Sequence, residues 1–287
     1  IYLEVRGRIL YKIIIDSCGE LTPAMKESGH YASVPLTLRV GDEEIMDDEN
    51  FDQASLLEKI AACETAAKSA CPSPNLYMEA MEDEAEHIYV VTLSAQLSGS
   101  YNSACLGKDL FEENDDSKCI HVFDSKSASI GETLIGLKIE ECEEAGMSFE
   151  EVVATVDAYI EQQHTFFVLE TLDTLRKAGR LSNLKAAIAG TLNIKPIMGS
   201  TEEGSIQQLG QARGMSKAID KMISCLMEVT ENPQEKIVAI SHCNAPEKAL
   251  QLKDKLLAMC NFKDIFIVDT QGVSSLYAND GGLIMVV

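Results

Sequence analysis

The sequence predicts an α/β protein of two domains, a mostly parallel α/β/α sandwich over residues 12–160 followed by an α+β domain over 161–287. Three observations predict it. At 287 residues the chain is about two domain lengths, enough to enclose a ligand within a sizeable core. Up to about Ile160, short β-branched apolar runs alternate with segments of helical period, the pattern of βαβ crossovers and a sheet covered on both faces. Beyond Ile160 the spacing becomes mixed, as in an α+β unit.

In chain order, the apolar runs at 12–15, 34–38, 87–93 and 119–123 read as strands. Helices are predicted over 51–63, 74–85, 100–112, 130–145 and 149–162. Ser73-Pro74 and Ser148 supply starts and Gly146 a stop, because a cap hydroxyl takes an orphan amide and glycine tolerates a left-handed turn. After Ile160, a strand at 165–169 precedes two short helices, the first ended by Gly179 and the second opened by Ser182. A strand at 194–198, a turn at Glu202-Glu203-Gly204, a strand-like 205–208 and a long helix near 215–230 come next. Strands at 236–240 and 264–268 flank another helix, and 283–287 closes the chain.

Composition excludes several function classes. Hydrophobic residues at 46% and charged residues at 24% make a packed globular chain, but the formal net charge of -22 repels phosphate backbones and anionic lipid surfaces. Neither nucleic acid nor stable membrane insertion is therefore expected. Nine cysteines, an odd number with no Cys-x-x-Cys pair, point to reduced thiols and a cytoplasmic location. No stretch approaches the roughly 18 apolar residues of a spanning helix, and Glu4, Arg6 and Arg8 interrupt any signal-peptide core. His30, His87, His121, His164 and His242 are dispersed without zinc spacing, so each is read as structural and no metal site is expected. Neither glycine-rich nucleotide motif occurs, so no cofactor is expected, and the serines lack a nucleophile elbow.

Ligands of an open parallel sheet bind outside the carboxyl ends of its strands, and the loops placed there are rich in hydroxyls. They are Asp16-Ser17-Cys18-Gly19, the run from Ser94 to Tyr101, and Asp124-Ser125-Lys126-Ser127, with Ser69-Ala70-Cys71-Pro72-Ser73 nearby. Ser98-Gly99-Ser100 is the sharpest signal, because it stands where a loop turns into a helix. Gly99 lets the backbone approach a ligand, the first helical amides lack partners, and Ser98 adds a hydroxyl, which together suit a carboxylate or phosphate. The plainer alternatives, that Ser98 or Ser100 only caps its helix and that Ser69 is a buried turn hydroxyl, stay open on spacing alone.

The blocks Ile13-Ile14-Ile15-Asp16-Ser17, Val34-Pro35-Leu36-Thr37, Lys68-Ser69-Ala70-Cys71-Pro72-Ser73, Leu97-Ser98-Gly99-Ser100-Tyr101 and Asp124-Ser125-Lys126-Ser127 resemble those of the DegV family, in the family's order. Leu169-Glu170-Thr171-Leu172, Gly179-Arg180-Leu181-Ser182, Leu192-Asn193-Ile194-Lys195-Pro196-Ile197 and Gln211-Ala212-Arg213-Gly214 extend the resemblance over nearly the whole chain. It implies a long-chain fatty acid held in a cleft between the two domains, its carboxylate on hydroxyls and its tail in an apolar tunnel. By this resemblance Ser69 and Ser98 bind the carboxylate, and Arg180 and Arg213 occupy basic positions of the second domain. A histidine that some members carry ahead of a C-terminal Gly-Pro-Gly turn is missing from Tyr277-Ala278-Asn279-Asp280-Gly281-Gly282. Tyr277 or Asn279 is expected to supply a polar contact instead, and a part in phosphoryl transfer is put in question.

Energetics suit a lipid. At about 0.8 kcal/mol per buried methylene, a chain of roughly sixteen carbons gains on the order of 11 kcal/mol before ordering costs. The apolar runs 184–192, 194–198 and 166–168 are candidate tunnel walls, with plain core as their alternative use. Residues 171–221 hold eight basic against four acidic side chains, which favours a bound anion or a phosphate-handling partner. The leading expectation is a non-catalytic carrier presenting its acid to a fatty acid kinase catalytic subunit. A serine hydrolase or phosphotransferase using Ser98 is the alternative, and it needs a base near Ser98 that the sequence does not identify.

Overall fold

A computed structural model describes residues 10–115, 117–181 and 193–287. The chain enters through β1 (Tyr11–Asp16), α1 (Pro23–Ser28), β2 (Tyr31–Val34), β3 (Thr37–Val40), β4 (Glu43–Met46), α2 (Gln53–Ala62) and β5 (Lys68–Ala70). It continues through α3 (Pro74–Ala80), β6 (His87–Thr92), α4 (Ser100–Glu112), β7 (Cys119–Asp124), α5 (Ile130–Glu144) and α6 (Phe149–Ile160). The start signals act as expected: the Ser73 hydroxyl accepts from the Leu76 amide, and Ser148 forms a reciprocal capping box with Glu151.

Strands β2, β1, β6 and β7 form, in that order, a wholly parallel sheet. Alternate residues serve opposite faces. Ile13, Ile15, Tyr89 and Val91 pack under α5 and α6 against Ile135, Ile139, Val152 and Val156. Ile14, Ile88 and Val90 pack on the other side against Tyr77, Met81, Ala104 and Phe111 of the α3 and α4 layer. The α3 and α4 helices meet closely at Gly107, where a β-carbon would stand 2.6 Å from the Pro74 carbonyl oxygen and 2.9 Å from the Tyr77 Cβ. Gly107→Ala is expected to cost about 1 to 3 kcal/mol, read as a lower urea midpoint at unchanged slope.

One predicted strand is corrected. Residues 34–38 do not form a single strand, because Pro35 has no amide hydrogen for a ladder and separates β2 from β3. Strand β3 instead pairs antiparallel with β4 and β5 in a small separate sheet.

The remainder runs through β8 (Thr165–Val168), α7 (Asp173–Lys177), β9 (Ile194–Ser200), β10 (Ile206–Arg213), α8 (Met215–Val229) and β11 (Ile237–His242). It ends with α9 (Pro246–Met259), β12 (Asp264–Asp269), α10 (Gly272–Ala278) and β13 (Leu283–Val286). These strands build a second sheet in the order β10-β9-β8-β13-β11-β12, parallel only between β11 and β12. The strand expected over 205–208 runs on to Arg213 past a bulge between Gln208 and Gly210. The helix expected to open at Ser182 and the tunnel-wall run 184–192 lie outside the described residues.

The α8 and α9 helices cover one face of this sheet through Ala218, Ile219, Met222, Leu252 and Leu256. Its other face meets α5, whose Ile130 and Leu134 pack on Ala239 and Val286. Helix α5 thus serves both sheets, and its first two turns, Ile130 to Gly136, are buried on every side, whereas its later turns carry Lys138, Glu140, Glu141, Glu143 and Glu144. Among the described residues no helix is long and apolar enough to cross a membrane.

Candidate functional site

Strand order reverses between β1 and β6, since the chain leaves β1 for β2 on one side and for β6 on the other. In parallel sheets the crevice above such a reversal is where ligands bind. A cavity lies there, with about 810 Å³ of atom-free space counting its open mouth. The first sheet contributes loop residues that follow its strands: Cys18, Leu93, Leu97, Ser98 and Lys126 to Ser129. The second contributes Phe167 of β8 and Leu169 just after it, Gly204 to Ile206 at the β10 turn, Ile284 of β13, and Val273, Ser274, Tyr277 and Ala278 of α10.

The surface within is nearly all apolar, and much of its hydroxyl content is already paired. Ser127 Oγ and Thr165 Oγ1 stand 2.6 Å apart, and Ser129 Oγ donates to the Glu20 carboxylate at 2.8 and 2.9 Å. Satisfied hydroxyls make little further demand on a ligand, so this wall tolerates a hydrocarbon.

Four of the six predicted contact residues converge on this cavity. Ser69, Ser98, Arg180 and Tyr277 all line it, although Ser69 and Tyr277 are 208 positions apart. The Ser69 hydroxyl lies 3.0 Å from the Tyr277 phenol oxygen. Arg180 stands over the Tyr277 ring, 5.7 Å from its centroid, and donates from Nε to the Leu97 carbonyl at 3.1 Å. One guanidinium therefore ties the loop after β6 to the region after α7. Ser98 Oγ accepts from the Ser100 amide at 3.2 Å and lies 3.0 Å from Ser100 Oγ. Neither partner is a base, so nothing bonded to this hydroxyl would activate it as a nucleophile.

The other two predicted residues are placed elsewhere. Gly99 is the N-cap of α4 and sits beside the cavity rather than on its lining, with a notional β-carbon 3.1 Å from Cys71 Sγ. Arg213 does not reach the cavity: it is the exposed last residue of β10, paired with Ile194. An extended strand places it roughly 20 Å along β10 from the lining residue Ile206. Asn279, offered with Tyr277 in place of a histidine, is tied to Thr174 Oγ1 at 3.1 Å and is not on the lining.

Sequence reading missed the lining residues Thr165, Ser205 and Ser274, and with them α10. No local signal marks α10 as a helix. Its first amides are held by Asp47, whose Oδ1 and Oδ2 accept from Gly272 and Val273 at 2.8 Å each. The histidines stay outside the cavity lining; His87, for example, is buried against Glu143 at 2.7 Å. Behind the wall at Cys18 lie the buried carboxyls Asp16, Glu20 and Glu132. Burial pushes all three upward, Glu20 to about 8, and burial plus these carboxyls raises the Cys18 thiol.

With this geometry in view, the comparisons agree. A profile described as the DegV family of uncharacterised proteins matches residues 11–286. The chain is 37% identical over 279 residues to a DegV domain-containing protein of Streptococcus pneumoniae, covering 96% of this chain and 98% of that one. It is similar to the crystal structure of a DegV-family protein from Ruminococcus gnavus refined with vaccenic acid: 56% identity, TM-score 0.95, covering 97% of this chain and 100% of that one. It is also similar to the Streptococcus pneumoniae fatty acid kinase B3 protein loaded with linoleic acid, at 36% identity and a TM-score of 0.86, with 96% and 98% covered. Fold, order of motifs and full-length matches lead to one conclusion: the chain belongs to the DegV family.

Proposed function

We propose that the chain binds one long-chain fatty acid between two domains, 12–160 and 161–287, and carries it in a reducing cytoplasm to a partner that phosphorylates it. The carboxylate sits at Ser69, Ser98, Tyr277 and Arg180, and the tail lies against Leu93, Phe167, Leu169, Ile206, Val273 and Ile284. The observation that carries this reading is an apolar cavity with the Ser69 and Tyr277 hydroxyls and the Arg180 guanidinium together on its wall. Burial of methylenes supplies most of the affinity, and the polar cluster selects an anionic end. The bound fatty acids of the Ruminococcus gnavus and Streptococcus pneumoniae proteins support the ligand class, and the latter's naming as a kinase protein supports the partner. All nine cysteines are free, in keeping with a reducing compartment.

Denaturing extraction of the purified chain, followed by mass spectrometry, should release about one long-chain acid per chain. Ser98→Ala should weaken rebinding of that acid by about tenfold, the worth of one charge-assisted hydrogen bond. A chain that carries no lipid and takes none up would sink the proposal. Turnover of acyl esters lost in Ser98→Ala would favour a hydrolase instead.

A further inference from the structure

The buried acids behind the tunnel wall have a charge problem that the protein's own side chains do not solve. Asp16, Glu20 and Glu132 are at most 1% exposed, and the Cys18 thiol among them is 2% exposed. Among the described residues no lysine, arginine or histidine pairs with any of the four, and the charges that act on Cys18 and Glu132 are those of the neighbouring carboxyls. Unpaired carboxylates in such a place are expensive unless a proton or a cation offsets them.

Two of the acids are already provided for. Asp16, at the end of β1, accepts the Cys18 amide at 3.0 Å through Oδ1 and the Leu93 amide at 2.9 Å through Oδ2. Glu20 takes the Ser129 hydroxyl on both oxygens. Glu132, in the first turn of α5, differs, for it is completely buried and neither Oε1 nor Oε2 has a hydrogen-bond partner. One donor atom each from Asp16, Cys18 and Glu132 lies within 4.8 Å of the others, so Glu132 is aimed into a space that a carboxylate and a sulfur already border.

A proton on Glu132 serves one of its oxygens, by donation to Asp16, and leaves only the weak Cys18 thiol as a donor to the other. A cation can engage both. We propose that Asp16, Cys18 and Glu132 form a site for a single thiophilic divalent cation of the zinc type, joining the end of β1 to the first turn of α5. The mixed sulfur and oxygen donor set suits such an ion, with a fourth position open to water. The amides of Cys18 and Leu93 orient the Asp16 carboxylate from outside, as outer partners of metal ligands do. Binding displaces the Cys18 thiol proton to solvent, and Cys18 lines the cavity, which gives the ion its way in.

Cobalt(II) and zinc(II) titrations of the purified, chelator-stripped full chain test this site independently of any lipid. The expected result is about one equivalent of cobalt with a thiolate-to-metal charge-transfer band in the near ultraviolet, discharged by zinc. Cys18→Ser should lack the band, and the isosteric Glu132→Gln, folded by circular dichroism, should bind at least about tenfold more weakly. No uptake by the folded parent chain overturns the proposal, as does a band that persists in Cys18→Ser or an affinity unchanged in Glu132→Gln. Should Cys18→Ser not fold, the parent chain and Glu132→Gln decide the matter.

Discussion

Gly204→Ala is expected to lower stability by roughly 2 to 5 kcal/mol and to strip the chain of lipid, because two independent costs meet at this position. The first is conformational. Gly204 has φ +87°, in the turn that leads into β10, where a side chain strains the backbone. The second is steric: a β-carbon would stand 2.4 Å from Ser94 Oγ, 2.8 Å from Lys126 Cα and 3.1 Å from the Lys126 carbonyl carbon. Backbone atoms of Lys126 cannot rotate away, so the turn must retreat from the loops after β6 and β7. That retreat also lengthens the 2.8 Å bond from the Ser94 hydroxyl to the Gly204 carbonyl, which joins the two halves of the cavity.

Gly146→Ala is the control, since Gly146 has φ +73° with nothing within 4 Å of a β-carbon. It should lose only about 1 kcal/mol and keep its lipid. Urea unfolding and extracted lipid per chain measure both variants. Equal losses in the two would remove the close approach at Gly204 from the account.

The stability gap between the parent chain and Asp47→Ala is expected to be wider in acid than above neutrality, by up to about 3 kcal/mol. The cause is a carboxyl that serves two masters. Its oxygens hold the Gly272 and Val273 amides, which starts α10, yet burial pushes its pKa from 3.8 up to about 6 despite those bonds.

A carboxyl whose folded pKa is raised contributes stability that is full below its unfolded value, near 3.8, and is lost as pH climbs through about 6. At about 1.4 kcal/mol per pKa unit the loss approaches roughly 3 kcal/mol. The alanine chain has no such group, so the gap between it and the parent should shrink by up to that amount from about pH 3 to about pH 7.5. Urea unfolding of both chains across this range reads the gap directly. A gap that widens with pH would show the carboxylate to be favoured on folding, against the burial argument. Helix α10 carries Tyr277, so acid affinity should weaken in the same variant.

Much of the framework is legible in local pattern. β1, β6, β7, α4 and α5 fall within a residue or so of their predicted bounds, because each buries a continuous apolar run or stripe that a short window contains. Strands β4 and β5 escape notice because Glu43–Met46 and Lys68–Ala70 are short, polar and mostly exposed, and only β3 between them makes them a sheet. Helix α10 escapes for a related reason, for Gly272, Val273, Ser274 and Ser275 favour no helix until Asp47, 225 positions earlier, holds the first amide.

In the site, Ser98 is visible in sequence because loops after parallel strands face the crevice whatever else the chain does, whereas Ser69 stands in the antiparallel strand β5 and is marked in sequence by the family resemblance. Arg213 is not separable from Arg180 by sequence, since both follow short blocks in the second half. The length of β10 decides that one lines the cavity and the other faces solvent.

The sequence by itself determines the alternation of strand and helix, the hydroxyl-rich loops at the strand ends, and through its motifs the family. Only the tertiary structure decides which polar groups are spoken for. Ser127 meets Thr165, Ser69 meets Tyr277, and Glu132 meets no hydrogen-bond partner beside Asp16 and Cys18. The physical reason is one of range. Periodicity and capping act over a turn or a strand, whereas desolvation and hydrogen-bond pairing depend on whatever the fold brings within about 3 Å, at any distance along the chain.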